Sequence, residues 1–128
     1  MELSPHLIIT SKDETLTLLA REAAAQPWQV HTFTDIPSAP WLPNWPDLRV
    51  IVIDDDVLPQ ASRAAAFTRM REWAPRASLI YVAGSHSAET EKLARAWGVS
   101  YYTSKPIESD RFLDVLRAFL ESGAASKD

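Results

Sequence analysis

The 128-residue chain has no cysteine, only three glycines and no apolar run approaching the length of a membrane span. Without thiols there is neither a disulfide framework nor a thiolate metal site. No glycine-rich turn follows the first strand-like segment, which excludes a dinucleotide or P-loop phosphate fingerprint. Basic residues are outnumbered too. The 13 Lys and Arg against 17 Asp and Glu leave a formal net charge of -4, which argues against general binding to nucleic acid or an anionic membrane, with Arg63, Arg69 and Arg71 the one local basic group. Residues Met1 to His6 carry no basic segment leading into an apolar core, so no export signal is read and a soluble, cytoplasmic domain is expected.

What is present describes one ordinary globular domain. A hydrophobic fraction of 46% and a charged fraction of 23% leave enough apolar surface for a real core. The stretch Arg49-Val50-Ile51-Val52-Ile53-Asp54-Asp55-Asp56-Val57-Leu58-Pro59 holds a short β-branched run that reads as a strand covered on both faces, ending in three carboxylates. Open α/β sheets bind ligands at that carboxyl edge.

The remaining chain alternates strand and helix. His6 to Thr10 is a strand candidate, and Ser11-Lys12-Asp13-Glu14 has capping-box spacing ahead of a helix with Leu16, Leu19, Ala20 and Ala23 inward. Trp28 to Phe33 reads as a second strand. Pro37, Pro40, Pro43 and Pro46 fall at every third position and break any helix in the slot between the second and third strands, leaving Trp41, Leu42 and Trp45 to cover the sheet or dock a partner. Ser62 can cap a helix with Ala66, Phe67, Met70, Trp73 and Ala74 on one face. Ser78 to Ala83 is the next strand, followed by a helix with Leu93, Ala96 and Trp97 inward and Gly98 at its end. Val99 to Thr103 forms the last strand, and the final helix carries Phe112, Val115, Leu116, Phe119 and Leu120. The domain is expected over residues 1–122, with 123–128 a tail or the start of a linker. Five strands alternating with helices predict a doubly wound parallel sheet, in a single three-layer α/β domain.

On two stretches the chain resembles the receiver domains of bacterial response regulators. One is Val52 to Pro59, with an aspartate four residues before a proline; the other runs from Ala96 through Gly98, Tyr101 and Tyr102 to Lys105-Pro106. The resemblance covers nearly the whole chain and implies a flavodoxin-like fold of strand order 2-1-3-4-5. It implies a signalling module and not an enzyme. Asp55 resembles the phosphoacceptor, Lys105 the lysine paired with it and with the phosphoryl group, and Tyr102 the aromatic that reports phosphorylation to the surface made by the fourth helix, fifth strand and fifth helix. A cis Lys105-Pro106 bond is implied as well. The implied partners are a histidine kinase or phosphotransfer protein, and a protein partner or second copy on that surface.

Three positions depart from the family pattern. Ser11-Lys12 stands where receivers carry the acidic pair that holds Mg²⁺, and Ala83 stands at the switch Thr or Ser. Asp13, Asp54 and Asp55 are the remaining oxygen ligands for the ion. Lys12 beside Asp55 is expected to replace the metal as a fixed cation. Two alternatives stay open: a phosphorylation-independent pseudo-receiver acting in protein interaction or dimerisation, and a small flavodoxin-like cofactor binder or hydrolase, the latter without a nucleophile elbow around Ser85-His86.

Overall fold

The computed structural model describes residues 6–33, 48–57 and 63–125. Its elements in chain order are β1 (His6–Thr10), α1 (Glu14–Ala24), β2 (Gln29–Phe33), β3 (Leu48–Asp54), a 3₁₀ turn (Asp55–Val57), α2 (Arg63–Trp73), β4 (Ser78–Ala83), α3 (Ala88–Ala96), β5 (Tyr101–Ser104) and α4 (Ser109–Ala125). The proline segment with Trp41 and Trp45, Pro59, the Ser62 cap and residues 126–128 lie outside the described residues. The final helix continues past 122, to Ala125.

All strands are parallel, as the helix-strand alternation predicts, and pair in the order β2-β1-β3-β4-β5, the flavodoxin-like arrangement that the resemblance implies. The chain runs outward from β1 to β2, then crosses back through β3, β4 and β5. The reversal lies between β1 and β3, where open α/β sheets place their ligands.

Strand period sorts the core into two layers. Leu7, Ile9, Val50, Val52, Ile80 and Val82 face α1 and α4 and pack with Leu16, Leu19, Phe112, Leu116 and Leu120. Ile8, Ile51, Ile53, Leu79, Tyr81 and Ala83 face the other way, onto Phe67, Met70, Ala94 and Val99. Each of these aliphatic side chains contributes roughly 1.5–3 kcal/mol on burial. The same alternation decides where the acids point. Asp54 continues the parity of Val50 and Val52, whereas Asp55 continues that of Ile51 and Ile53.

Two local expectations are corrected. Asp13, not Ser11, caps α1, its Oδ1 accepting from the Thr15 amide at 2.7 Å. Ser11 is turned inward and its hydroxyl is engaged in the site described below. In α3 the inward residue is Ala94, while Leu93 is 47% exposed and Ala96 is exposed. Trp97, by contrast, packs inward as expected, stacked on Phe67 with ring centroids 4.7 Å apart, and Ser87 caps the helix, accepting from the Thr90 amide. Gly98 does end this helix. Its φ of 91° is one that only glycine adopts at low cost, and the Arg71 guanidinium packs over it.

Candidate functional site

Every parallel strand delivers its carboxyl end to the same edge, and four of them supply the site. From β1 come Thr10, Ser11 and the following Asp13; from β3, Asp54 and the turn carrying Asp55 and Asp56; from β4, Ala83 and Gly84; from β5, Ser104 and Lys105. The Lys105 amide donates to the Ala83 carbonyl at 3.0 Å, so β5 reaches this edge in ladder register. The Lys105-Pro106 bond is cis, as the resemblance implies.

Lys105 is the hub. Its Nζ lies 2.8 Å from Asp13 Oδ2, 2.9 Å from Asp54 Oδ2 and 3.0 Å from Asp56 Oδ2. Of the three acids only Asp54 is fully buried. Its Oδ2 also accepts from the Ser11 hydroxyl at 2.6 Å, and its Oδ1 from the Asp56 amide at 3.0 Å. A buried carboxylate is tolerated only with its charge paired and its lone pairs used, and both conditions are met here. Ser11 is a pivot as well: its oxygen accepts from the Asp13 amide at 2.8 Å, tying the β1 loop to the acid it serves.

The electrostatics follow the contacts. Burial works against the charged form of Lys105, but hydrogen bonds to Asp13, Asp54 and Asp56 and the Asp54 charge outweigh it and hold the ammonium well above the usual lysine range. The hydrogen bond from Lys105, then that from Thr15, holds the Asp13 carboxyl below its ordinary value.

Asp55 stands apart from this cluster. It begins the 3₁₀ turn, half-buried, and its Oδ1 accepts from the Tyr81 hydroxyl at 2.5 Å. Its Oδ2 faces Gly84, where a Cβ would come within 3.9 Å, so the missing side chain leaves room beside the carboxylate.

The expected constellation is therefore rearranged. Lys105 pairs with Asp13, Asp54 and Asp56, and no contact between it and Asp55 occurs among the described residues. Asp56 takes the place expected for Asp55 in the acidic trio: carboxylate oxygens of Asp13, Asp54 and Asp56 lie within 4.8 Å of one another. Lys12 is exposed and is not the cation of the site. With Ser11 turned inward at the strand end, its neighbour points to solvent, and Lys105 supplies the charge. Ala83 is buried at the end of β4 and offers no hydroxyl. Tyr102 lies half-buried on β5, its ring 5.9 Å from that of Tyr81 with 21° between the planes.

Tyr81 and Asp56 were not singled out by sequence. A signal for Tyr81 existed: one phenol in the otherwise aliphatic Leu79-Ile80-Tyr81-Val82 must find a hydrogen-bond partner once buried. For Asp56 there was none, because its reach back to Lys105 depends on the turn.

Three carboxylate oxygens this close are a hard donor set that suits a divalent cation such as Mg²⁺, with Lys105 now sharing the same oxygens. Among the described residues no helix is long and apolar enough to cross a membrane.

No family model and no curated protein matches the sequence. Solved structures do. The signal receiver domain of an HD domain-containing protein from Pseudomonas fluorescens Pf-5 is 21% identical, with 97% of this chain and 100% of that one covered and a TM-score of 0.76. The BeF3-activated receiver domain of DrrB, from Thermotoga maritima, is 21% identical over 93% of this chain and 99% of that one, with a TM-score of 0.73. The non-phosphorylated receiver domain of HemR from Leptospira biflexa is 17% identical over 91% and 94%, with a TM-score of 0.76. Strand order, the helix placement around it and the full-length overlap with these structures give the chain the fold of response-regulator receiver domains.

Proposed function

We propose that the chain is a receiver-type domain of two-component signal transduction in which Asp55 accepts a phosphoryl group. The observation that carries this reading is the carboxyl edge of the sheet, where Lys105 holds Asp13, Asp54 and Asp56 immediately beside Asp55. Of the three consecutive acids, Asp54 is sealed from solvent and Asp56 is committed to Lys105. Asp55 stands four residues before Pro59, the spacing of the family's acceptor, and its Oδ2 faces the space left by Gly84.

In the reaction an Asp55 carboxylate oxygen attacks phosphorus. The bond from phosphorus to the donor's leaving group breaks, the electron pair departs with that group, and an acyl phosphate remains on Asp55. Negative charge grows on the equatorial oxygens, so nearby positive charge is the main catalytic aid. Lys105 is the protein's own source of it. Asp13, Asp54 and Asp56 would hold Mg²⁺, which supplies further neutralisation of the transferred group when bound. The donor partner is a histidine kinase, a phosphotransfer protein or a small phosphodonor. The output surface comprises α3, β5 and α4, where Leu93 is a large exposed apolar side chain.

A pseudo-receiver is the second reading, favoured by one observation: the Lys105 ammonium already satisfies three carboxylates while position 83 lacks a hydroxyl. Incubation with acetyl phosphate and Mg²⁺, followed by intact mass, separates the two. One added phosphoryl group, absent from Asp55→Asn, is the expected result. No adduct on the wild-type chain would remove the phosphoacceptor reading and leave the pseudo-receiver.

A further inference from the structure

Resting on the reading of Asp55 as the acceptor, we infer that Tyr81 is the positioning residue of this site and supplies to Asp55 the hydroxyl that Ala83 lacks. Tyr81 is fully buried in the middle of β4, with Leu79, Ile80 and Val82 around it, where a phenol with no partner for its proton would be costly. Strand alternation puts residues 81 and 83 on the face to which Asp55 belongs. The phenol is long enough to reach from two residues further back, and donates to Asp55 Oδ1. It therefore fixes the rotation of the carboxylate and senses its charge from below.

The ring continues outward. Tyr81 pairs with Tyr102 in the β4-β5 register and stacks on it, and on its other side it meets Phe67 at 5.8 Å. Tyr102 in turn meets the His86 ring edge-on at 5.9 Å, and its hydroxyl accepts, at 3.5 Å, from the amide of Ser87, the N-cap of α3. A continuous run of contacts thus joins the Asp55 carboxylate to the first turn of α3 through two tyrosines. Removing the charge of Asp55, or converting it to an acyl phosphate, weakens the acceptor of the Tyr81 proton. The phenol then shifts, and the ring stacked upon it follows.

The test is a double-variant cycle read by NMR, which runs whether or not Asp55 is ever phosphorylated. Asp55→Asn in the wild-type background is expected to shift the Ser87 amide and Tyr102 ring signals. In the Tyr81→Phe background, which keeps the ring and its packing, the same substitution is expected to leave both signals in place. An equal shift in the two backgrounds would overturn the inference, since a purely structural ring would transmit the change with or without its hydroxyl. A parallel intact-mass arm with acetyl phosphate and Mg²⁺ keeps the two readings apart. Tyr81→Phe is expected to form the adduct more slowly than the wild-type chain, and its Ser87 signal no longer responds. If neither protein forms an adduct, the acceptor reading fails and the NMR cycle alone decides the part of Tyr81.

Discussion

Replacing Lys105 by methionine keeps most of the stem and removes the ammonium that three carboxylates share. The largest consequence falls on Asp54, the one acid with no exposed surface, whose Oδ2 lies 2.9 Å from Nζ. At an effective dielectric near 20 that contact alone is worth about 6 kcal/mol of Coulomb energy, most of it offset by the desolvation of both groups. The variant loses the attraction but keeps the desolvated carboxylate, a situation that typically costs about 3–5 kcal/mol. The lower figure applies, because Lys105 retains 18% exposure, so water can enter, and the bridges to the more exposed Asp13 and Asp56 add little. A loss of about 3 kcal/mol at roughly 4 °C per kcal/mol lowers Tm by about 12 °C for a chain of this size. Thermal unfolding followed by circular dichroism at neutral pH and low salt measures it. The double variant Lys105→Met/Asp54→Asn removes the stranded charge and should recover about 2 kcal/mol relative to the single variant. A fall below about 3 °C in the single variant, or strict additivity in the double, would refute a buried charge held by Lys105.

Other features give independent expectations. Thr10 Oγ1 is buried with no hydrogen-bond partner among the described residues, so Thr10→Val should be neutral or stabilise by up to about 1 kcal/mol in urea unfolding; a clear destabilisation would show that the hydroxyl is satisfied. Gly98→Ala forces a side chain onto a φ of 91°, with its Cβ 3.0 Å from an Arg71 nitrogen, and should cost about 2 kcal/mol, whereas Gly84→Ala meets only ordinary contact and should leave stability near wild type. Burial, and then the charge of His6, holds His31 below its ordinary value of 6.5, and His6 Nδ1 lies 3.0 Å from His31 Nε2. Because the folded value is the lower one, this contribution is present above pH 6.5 and is lost as pH falls through the folded value. Unfolding free energy measured from pH 7.5 down to 5 should decline in the wild-type chain and decline less in His31→Gln, which cannot titrate; equal profiles for the two would contradict it.

Much of the fold was legible because burial in a parallel sheet leaves a periodic record. Val50 to Ile53 is apolar at every position, as a strand covered on both sides must be, and Leu16, Leu19, Ala20 and Ala23 mark one face of α1. α3 was less legible. It offers few apolar residues, so Leu93 and Ala96 looked inward, whereas Ala94 and Trp97 are the residues that pack on the core. The acids and Lys105 do share one edge of the sheet, as the chain order suggests, but their pairing differs from the expected one. Chain spacing to Pro59 singles out Asp55, but which acid meets Lys105 depends on side-chain direction at the strand end, where Asp54 keeps the parity of Val52 and Asp55 falls to the opposite face beside Tyr81. Ser11 likewise has the composition of a helix cap, yet a buried carboxylate one strand away is the stronger claim on its hydroxyl.

The most direct measurement is the position of the acyl phosphate. The chain is treated with acetyl phosphate and Mg²⁺, reduced with borohydride so that a phosphorylated aspartate becomes homoserine, digested, and sequenced by tandem mass spectrometry. The proposed phosphoryl transfer predicts homoserine at Asp55, with Asp54 and Asp56 unmodified. Homoserine at Asp54 or Asp56, or none at any of the three, would contradict it.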